Sequence, residues 1–171
     1  MKRSILLALF ALSGILQAAD PVEFSVGVFH FARPDGWSWV TPSSPMRKAQ
    51  LSVPGTDGAG PAEVTFFHFG AGQGGGVQAN VDRWVGQFAD ATSSSRAEQI
   101  GKTPVTFVEA AGTFSSGMPG GPTTPMTGYA MRGAILQNAE GDVYVKMTGP
   151  EAVIKTAAPA FEKMVRAAAE K

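Results

Sequence analysis

Hydrophobic and polar residues alternate along much of the chain, and a period of two is typical of β-strands that face a core on one side. The pattern predicts strands at residues 22–31, 37–40, 48–53, 63–69, 105–114, 129–137 and 143–148. The link at residues 138–141 ends in glycine and has the chemistry of a hairpin turn. Because links of this length join antiparallel strands, we expect a largely antiparallel sheet.

Two other segments repeat apolar residues at the spacing of an α-helix. In residues 77–88, one face carries Val77, Val81, Trp84, Val85 and Phe88. In residues 151–168, one face carries Val153, Ala157, Phe161, Met164, Val165 and Ala168. Each stripe needs an apolar surface to cover it, and the sheet provides one. The predicted fold class is therefore α+β, a mainly antiparallel sheet covered by two helices in an α/β/α sandwich.

The second helix has a start signal and an interruption. Residues 148–151 match a capping box, in which the side chain of Thr148 would bind the backbone of Glu151. Pro159 lacks a backbone donor, so we expect it to kink the helix or to split it near Ala158.

Two segments lack a clear period. Residues 89–101 are polar, and residues 115–128 hold four glycines and three prolines. Both are predicted to be irregular, because glycine and proline interrupt regular elements.

The N-terminal segment has the layout of a secretory signal peptide. Lys2 and Arg3 precede an apolar run of about 12 residues, and small residues follow at Ala18 and Ala19. We predict a signal peptide at residues 1–19, with cleavage after Ala18 or Ala19, and a single domain at residues 20–171. The predicted location is therefore periplasmic or secreted. The absence of cysteine suits a bacterial protein and excludes disulfides.

Charge and length exclude some classes of partner. Removal of Lys2 and Arg3 would leave twelve basic and fourteen acidic residues, a formal charge of −2, with the signs interspersed. A nucleic-acid-binding domain would carry a basic patch, and none is visible. The N-terminal apolar run is shorter than the roughly 20 residues that span a bilayer, so we expect no permanent membrane anchor.

Two segments resemble parts of a known family. The pattern Phe-x-x-Pro-x-Gly-Trp occupies residues 31–37, and a closing strand leads into a helix with Phe161, Met164 and Val165. Both resemble PsbP-like domains, which are extrinsic, exported domains, and the resemblance implies an antiparallel sheet sandwiched between helices. The chain is also similar to uncharacterised exported bacterial proteins with Gly-Trp-x-Trp, Phe-Gly-x-Gly-Gln-Gly-Gly and Lys-x-Thr-Gly-Pro segments. These families imply accessory, assembly or binding roles and bring no catalytic residues.

A glycine-rich segment precedes the first predicted helix. Gly72, Gly74 and Gly75 could let the backbone approach an anion at the helix start. The segment matches a dinucleotide fingerprint, but no acidic residue ends a second strand about 20 positions later. We therefore expect no dinucleotide cofactor. The alternatives are weak binding of a small anion and a turn that leads into the helix.

Two tryptophans form a second candidate site. Trp37 and Trp39 are two residues apart on a predicted strand, so they share one face. They could form an exposed aromatic platform for a sugar or peptide, or they could simply pack in the core.

The irregular segment at residues 115–128 is a third candidate. Long loops inside small domains are often functional. Met118, Pro119, Pro122 and Met126 could contact a protein partner, since methionine adapts to different surfaces. The alternative is a surface loop without a role in binding.

The histidines are weak candidates for a metal site. His30 and His68 are the only histidines, and zinc normally takes three or four protein ligands. Glu109 could assist them if its pKa were raised, although a partner such as Arg132 would prevent that. We therefore assign no metal and no catalytic residue.

These observations favour an extracytoplasmic, non-catalytic binding or assembly module whose ligand is a protein partner or a small molecule. No cofactor is predicted. One alternative is a small hydrolase or metal-dependent enzyme that uses His30 and His68. Another is a purely structural envelope protein.

Overall fold

A computed structural model describes residues 22–116 and 124–171. These ranges contain nine strands and two helices. In chain order they are β1 (Glu23–Val26), β2 (Phe29–Ala32), β3 (Ser38–Trp39), β4 (Arg47–Val53), β5 (Ala62–His68), α1 (Val77–Val85), β6 (Phe88–Ile100), β7 (Thr103–Ser116), β8 (Thr124–Leu136), β9 (Val143–Pro150) and α2 (Glu151–Ala169).

Seven strands form one sheet in the order β3-β4-β5-β9-β8-β7-β6, and β1 and β2 form a separate hairpin. All of the pairings are antiparallel. Strand β9 lies at the centre because the connection that carries α1 leads from β5 to the far edge strand β6, and the chain returns through β7 and β8 before β9 pairs with β5. The predicted fold class, α+β with a mainly antiparallel sheet and two helices, is confirmed.

One face of the sheet, here called the α2 face, is covered by α2 and the β1–β2 hairpin. Along β9, Val143, Val145 and Met147 point to this face and are fully buried. They meet apolar side chains of α2 such as Phe161 and Val165. This is the larger of the two apolar clusters, and its alternation along the strands is the pattern that predicted them.

The opposite face, the α1 face, is only partly covered. Helix α1 packs against β6 and β7, and Trp84 extends this contact to β8 and β9. The part formed by β4, β5 and β9 carries polar side chains, including Gln50, Thr65 and Lys146. This uncovered part of the sheet positions the candidate site described below.

The single strand predicted at residues 22–31 is wrong. The segment is the β1–β2 hairpin, in which Val26 pairs with Phe29. Gly27 turns the chain with a φ of +56°, a conformation that favours glycine. Apolar residues alternate with polar ones in both strands, and the alternation continues through the turn with little interruption. The sequence of the hairpin therefore resembles that of one long strand.

The predicted end of the first helix and the irregular segment after it are also wrong. Helix α1 ends at Val85, and Phe88 begins β6, whose backbone pairs with β7 up to Ile100. Strand β6 is the edge of the sheet and most of its side chains are exposed. Burial therefore imposes little alternation on it, and its polar sequence conceals the strand.

Residues 115–128 are more regular than predicted. Residues 115–116 belong to β7 and residues 124–128 to β8, and Ser115 pairs with Pro125. This proline lies in a strand because the paired backbone of β7 and β8 sets its conformation. Residues 117–123 of the predicted loop lie outside the described residues.

The predicted start of α2 and the predicted split near Ala158 are wrong, whereas a kink at Pro159 stays a prediction. Thr148 pairs with Glu63 and Met131 inside the sheet, so its hydroxyl makes no hydrogen bond to the start of α2. Helix α2 continues through Pro159, which is exposed, while residues on either side pack on the sheet. Packing of the apolar stripe outweighs the one hydrogen bond that proline removes.

The predicted signal peptide at residues 1–19 lies outside the described residues and stays a prediction. In the part of the chain that is described, neither helix has the length and apolar character needed to cross a membrane.

Candidate binding site

A small cavity opens on the α1 face where the end of α1 meets β5 and β9. Its volume is about 160 Å³. It is lined by Phe67, Phe69, Arg83, Trp84, Gln87, Tyr144 and Lys146. It therefore combines an aromatic wall with two cationic groups and one amide.

The aromatic wall comes from three elements. Phe67 and Phe69 are at the end of β5, two residues apart, and their rings stack with centroids 6.2 Å apart. Tyr144 of β9 lies 5.9 Å from Phe69 and 6.5 Å from Trp84, the latter edge-on. Phe69 remains 42% exposed, which is unusual for a large aromatic side chain. The wall is thus open to solvent on the Phe69 side.

Lys146 supplies the first cation. It alternates with buried residues of β9 and so points to the α1 face. Its Nζ donates to Oε1 of Gln87 at 2.9 Å and lies 5.9 Å from the centroid of the Phe114 ring. Burial lowers the pKa of Lys146 to about 8, because it penalises the charged form, although Glu63 at longer range opposes this effect.

Arg83 supplies the second cation from the last turn of α1. Its guanidinium donates to Oδ1 of Asn80. Asn80 is buried and donates to the carbonyl oxygens of Gly74 and Gly76 at 2.9 and 3.0 Å. The start of α1 and the position of Arg83 are therefore linked through one asparagine side chain.

The predicted glycine site packs against Tyr144, which is part of the aromatic wall. Gly72, Gly74 and Gly75 all have positive φ values. The Tyr144 hydroxyl donates to the carbonyl oxygen of Gly75 at 3.2 Å, and a β-carbon at Gly74 would lie 2.7 Å from that hydroxyl. The glycines let the turn lie against Tyr144. Binding of an anion at these glycines stays a prediction.

The predicted tryptophan platform is placed in the core. Trp37 is 5% exposed and belongs to the apolar cluster of the α2 face. Trp39 is partly buried and meets the Phe24 ring edge-on at 4.9 Å. Trp37 precedes β3 rather than lying in it. Both rings are engaged in packing and lie on the opposite face from the cavity.

Only part of the predicted loop site falls within the described residues. Met126 lies in β8, pairs with Phe114 and is partly buried against the apolar cluster of the α1 face. Met118, Pro119 and Pro122 lie outside the described residues, so their role in binding a partner stays a prediction.

The histidines are held by different partners. Nδ1 of His30 lies 2.7 Å from Oγ of Ser25, and Nδ1 of His68 lies 3.3 Å from the carbonyl oxygen of Asp142. Among the described residues, no group of three or more His, Asp or Glu side chains is placed to hold a metal ion. The structure therefore does not bring His30 and His68 together with a carboxylate.

Glu109 forms an ion pair with Arg132, the residue directly opposite on β8, as predicted. Arg96 lies 3.7 Å from the same carboxylate. Two guanidinium groups therefore compensate the charge of this carboxylate. Glu109 thus has a structural role on the α2 face.

A cluster of charged side chains joins α2 to the edge strand β6, and the sequence analysis did not predict it. Arg96 of β6 lies 2.8 Å from Glu162 of α2, and Glu98 of β6 lies 2.6 Å from Arg166 of α2. Both guanidiniums lie over the Phe107 ring, at 4.5 and 5.3 Å from its centroid. Alternating charges in the polar segment 89–101 were the available signal. The charges in this cluster compensate one another.

A larger hollow, about 620 Å³, lies at the end of α2 beside the β1–β2 hairpin. Much of its rim is exposed, including Val28, His30, Lys102 and Asn138. Its lining includes Phe29 but no group of converging aromatic side chains like that of the Lys146 cavity. Size alone therefore does not make it the better site.

No protein-family model matches the sequence, and no curated protein matches it. The chain is similar to the solution structure of cyanobacterial PsbP (CyanoP) from Synechocystis sp. PCC 6803, with a TM-score of 0.55 and 12% identity over 89% of this chain and 96% of that chain. It also aligns with PA94, a protein of unknown function from Pseudomonas aeruginosa, with a TM-score of 0.49 and 12% identity over 84% and 92% of the two chains. The chain has the PsbP-like fold.

Proposed function

We propose that this chain is an exported, non-catalytic binding module and that the cavity beside Lys146 is its binding site. One observation supports this most strongly. The cavity joins open aromatic side chains to a half-buried lysine whose hydrogen-bond partner, Gln87, is neutral. Pockets with apolar walls and a few convergent polar groups are typical of ligand sites.

The energetics support the same assignment. A cation that is shielded from water destabilises the folded state unless a negative group compensates it. If stability of the folded state were the only requirement, an apolar or neutral residue would be favoured over Lys146 at this position. Residues that conflict with their local surroundings in this way are typical of functional sites.

The proposal is tested with three probes that share a benzyl group, namely benzyl alcohol, phenylacetate and phenethylamine. Each is titrated to millimolar concentration into ¹⁵N-labelled protein. At least one should shift the side-chain N–H signals of Trp84 and Gln87, and Phe69→Ala should weaken that binding. Val22→Ala is the matched control, since Val22 is also apolar and exposed but lies beside the β1–β2 hairpin, outside the lining of the cavity. If none of the three probes moves these signals, the cavity is not a binding site.

Export is tested separately. The full chain is expressed in a bacterium, and the mass of the protein is measured in the periplasmic and culture fractions. We expect a mature protein that begins at Ala19 or Asp20. Recovery of only the full-length mass, inside the cells, would contradict the proposed export.

A further inference from the structure

Among the described residues, neither of the two cations at the cavity forms an ion pair with a carboxylate. Lys146 donates to Gln87, and Arg83 donates to Asn80. Throughout residues 22–116 and 124–171, the ion pairs within 4 Å involve other residues. Glu63, whose charge acts on Lys146 from further away, is itself bound by Arg47 and Gln50. The residues that line the cavity therefore carry two positive charges and no negative one.

The shape of the cavity limits the size of the ligand. A volume of about 160 Å³ holds one substituted ring rather than a larger molecule. Phe69 and Tyr144 provide flat apolar surfaces on one side, and Trp84 closes the other. The Tyr144 hydroxyl already donates to the Gly75 carbonyl, so it contributes apolar surface rather than a free donor. The polar groups of the lining that remain for a ligand are the two cations, Lys146 and Arg83, and the amide of Gln87.

We propose, on the basis of the binding function above, that the ligand is a carboxylate on a flat apolar body. Its carboxylate would accept hydrogen bonds from Lys146 and Arg83, and its body would lie against Phe69 and Trp84. Hydrogen bonds between ionised groups are about twice as strong as those between neutral groups. The same chemistry occurs in small aromatic acids and at the C-terminus of a peptide that ends in an aromatic residue.

The experiment compares dissociation constants for phenylacetate and benzyl alcohol, which share the apolar body and differ in charge. Isothermal titration at pH 7 should show phenylacetate binding at least about tenfold more tightly, as expected for charge-assisted hydrogen bonds. Lys146→Met and Arg83→Met should each remove most of this preference, whereas binding of benzyl alcohol should stay within about twofold. Lys163→Met, an exposed lysine on α2, is the matched control.

N-acetyl-phenylalanine, which imitates a peptide C-terminus, distinguishes the two sources of the carboxylate. Tighter binding than phenylacetate indicates a peptide end, and weaker binding indicates a small free acid. Equal affinity for phenylacetate and benzyl alcohol would overturn the carboxylate assignment and leave the binding function intact. Loss of binding for every benzyl probe would instead remove the binding function itself.

Discussion

The indole ring of Trp84 lies directly over Gly133. A β-carbon built at Gly133 would be 2.5 Å from Cζ3 of Trp84 and 2.7 Å from Cε3. Gly133 is on β8, so this contact sets how closely α1 can approach the sheet. Because Trp84 also closes one side of the Lys146 cavity, the same contact fixes the width of the candidate site.

Replacement of Gly133 by alanine should therefore destabilise the protein. The added methyl group must displace a buried indole ring, and such overpacking costs about 1–3 kcal/mol. Urea unfolding followed by circular dichroism measures the loss. Gly60→Ala is the control, because no atom lies within 4 Å of a β-carbon at that position. Equal unfolding midpoints for Gly133→Ala and the original protein would show that Trp84 does not pack as described.

Replacement of Lys146 by methionine should stabilise the protein at pH 7. Burial lowers the pKa of Lys146 from 10.5 to about 8, so its charge disfavours the folded state. At about 1.4 kcal/mol per pH unit, the penalty is at most about 3.5 kcal/mol, and we expect Lys146→Met to gain about 1–3 kcal/mol. Lys163→Met should leave the free energy of unfolding nearly unchanged. A loss of stability in Lys146→Met would contradict the described burial.

The advantage of Lys146→Met should also shrink as the pH rises. Between pH 8 and about 10.5, the unfolded state binds more protons at Lys146 than the folded state, so the original protein gains stability with pH. Above this window Lys146 is neutral in both states. Unfolding free energies of both proteins at pH 7, 8.5 and 10 test this. A difference that does not change with pH would show that the charge is not the cause.

Neutralising Glu98 should destabilise the protein at pH 7 but not in acid. Hydrogen bonds from Arg96 and Arg166 lower the pKa of Glu98 in the folded state. The resulting stability is present above the ordinary glutamate pKa and is lost as the pH falls through the lowered value. The melting temperatures of Glu98→Gln and the original protein should therefore differ at pH 7 and converge in strong acid. Glu140→Gln, in an exposed turn, is the control.

Replacement of Pro159 by alanine should stabilise α2. Pro159 has no N–H to donate to the Lys155 carbonyl, four residues earlier, and its ring is exposed. Alanine restores that hydrogen bond, which we expect to raise the free energy of unfolding by about 1–3 kcal/mol. Lys163→Ala on the same helix measures the general effect of adding alanine. An equal effect from both variants would show that the missing hydrogen bond is unimportant.

Most elements could be predicted where one side of the element is buried. The alternation of β9 and the stripe of α2 each reflect one apolar face that meets the same core. The elements that were missed lack this asymmetry. Strand β6 is exposed along most of its length. The turn at Gly27 joins two strands with similar patterns of apolar residues, so the sequence does not reveal it.

The candidate site could not be predicted in the same way, because its members come from distant parts of the chain. Lys146 alternates with apolar neighbours like any surface lysine of a half-buried strand. Only the pairing of β5 with β9, together with α1 above them, places Phe67 and Phe69 beside it. Trp37 and Trp39, the conspicuous aromatic pair in the sequence, are instead packed on the other face.

The sequence alone determined the α+β class, because hydrophobic burial imposes periods of 2 and 3.6 residues on local segments. It could not decide which polar residues lose their water, since desolvation depends on neighbours brought from elsewhere in the chain. The tertiary structure decided that Lys146 and Arg83 share an aromatic cavity whose lining, among the described residues, includes no carboxylate. It also decided that the arginines of β6 and α2 form ion pairs with glutamates.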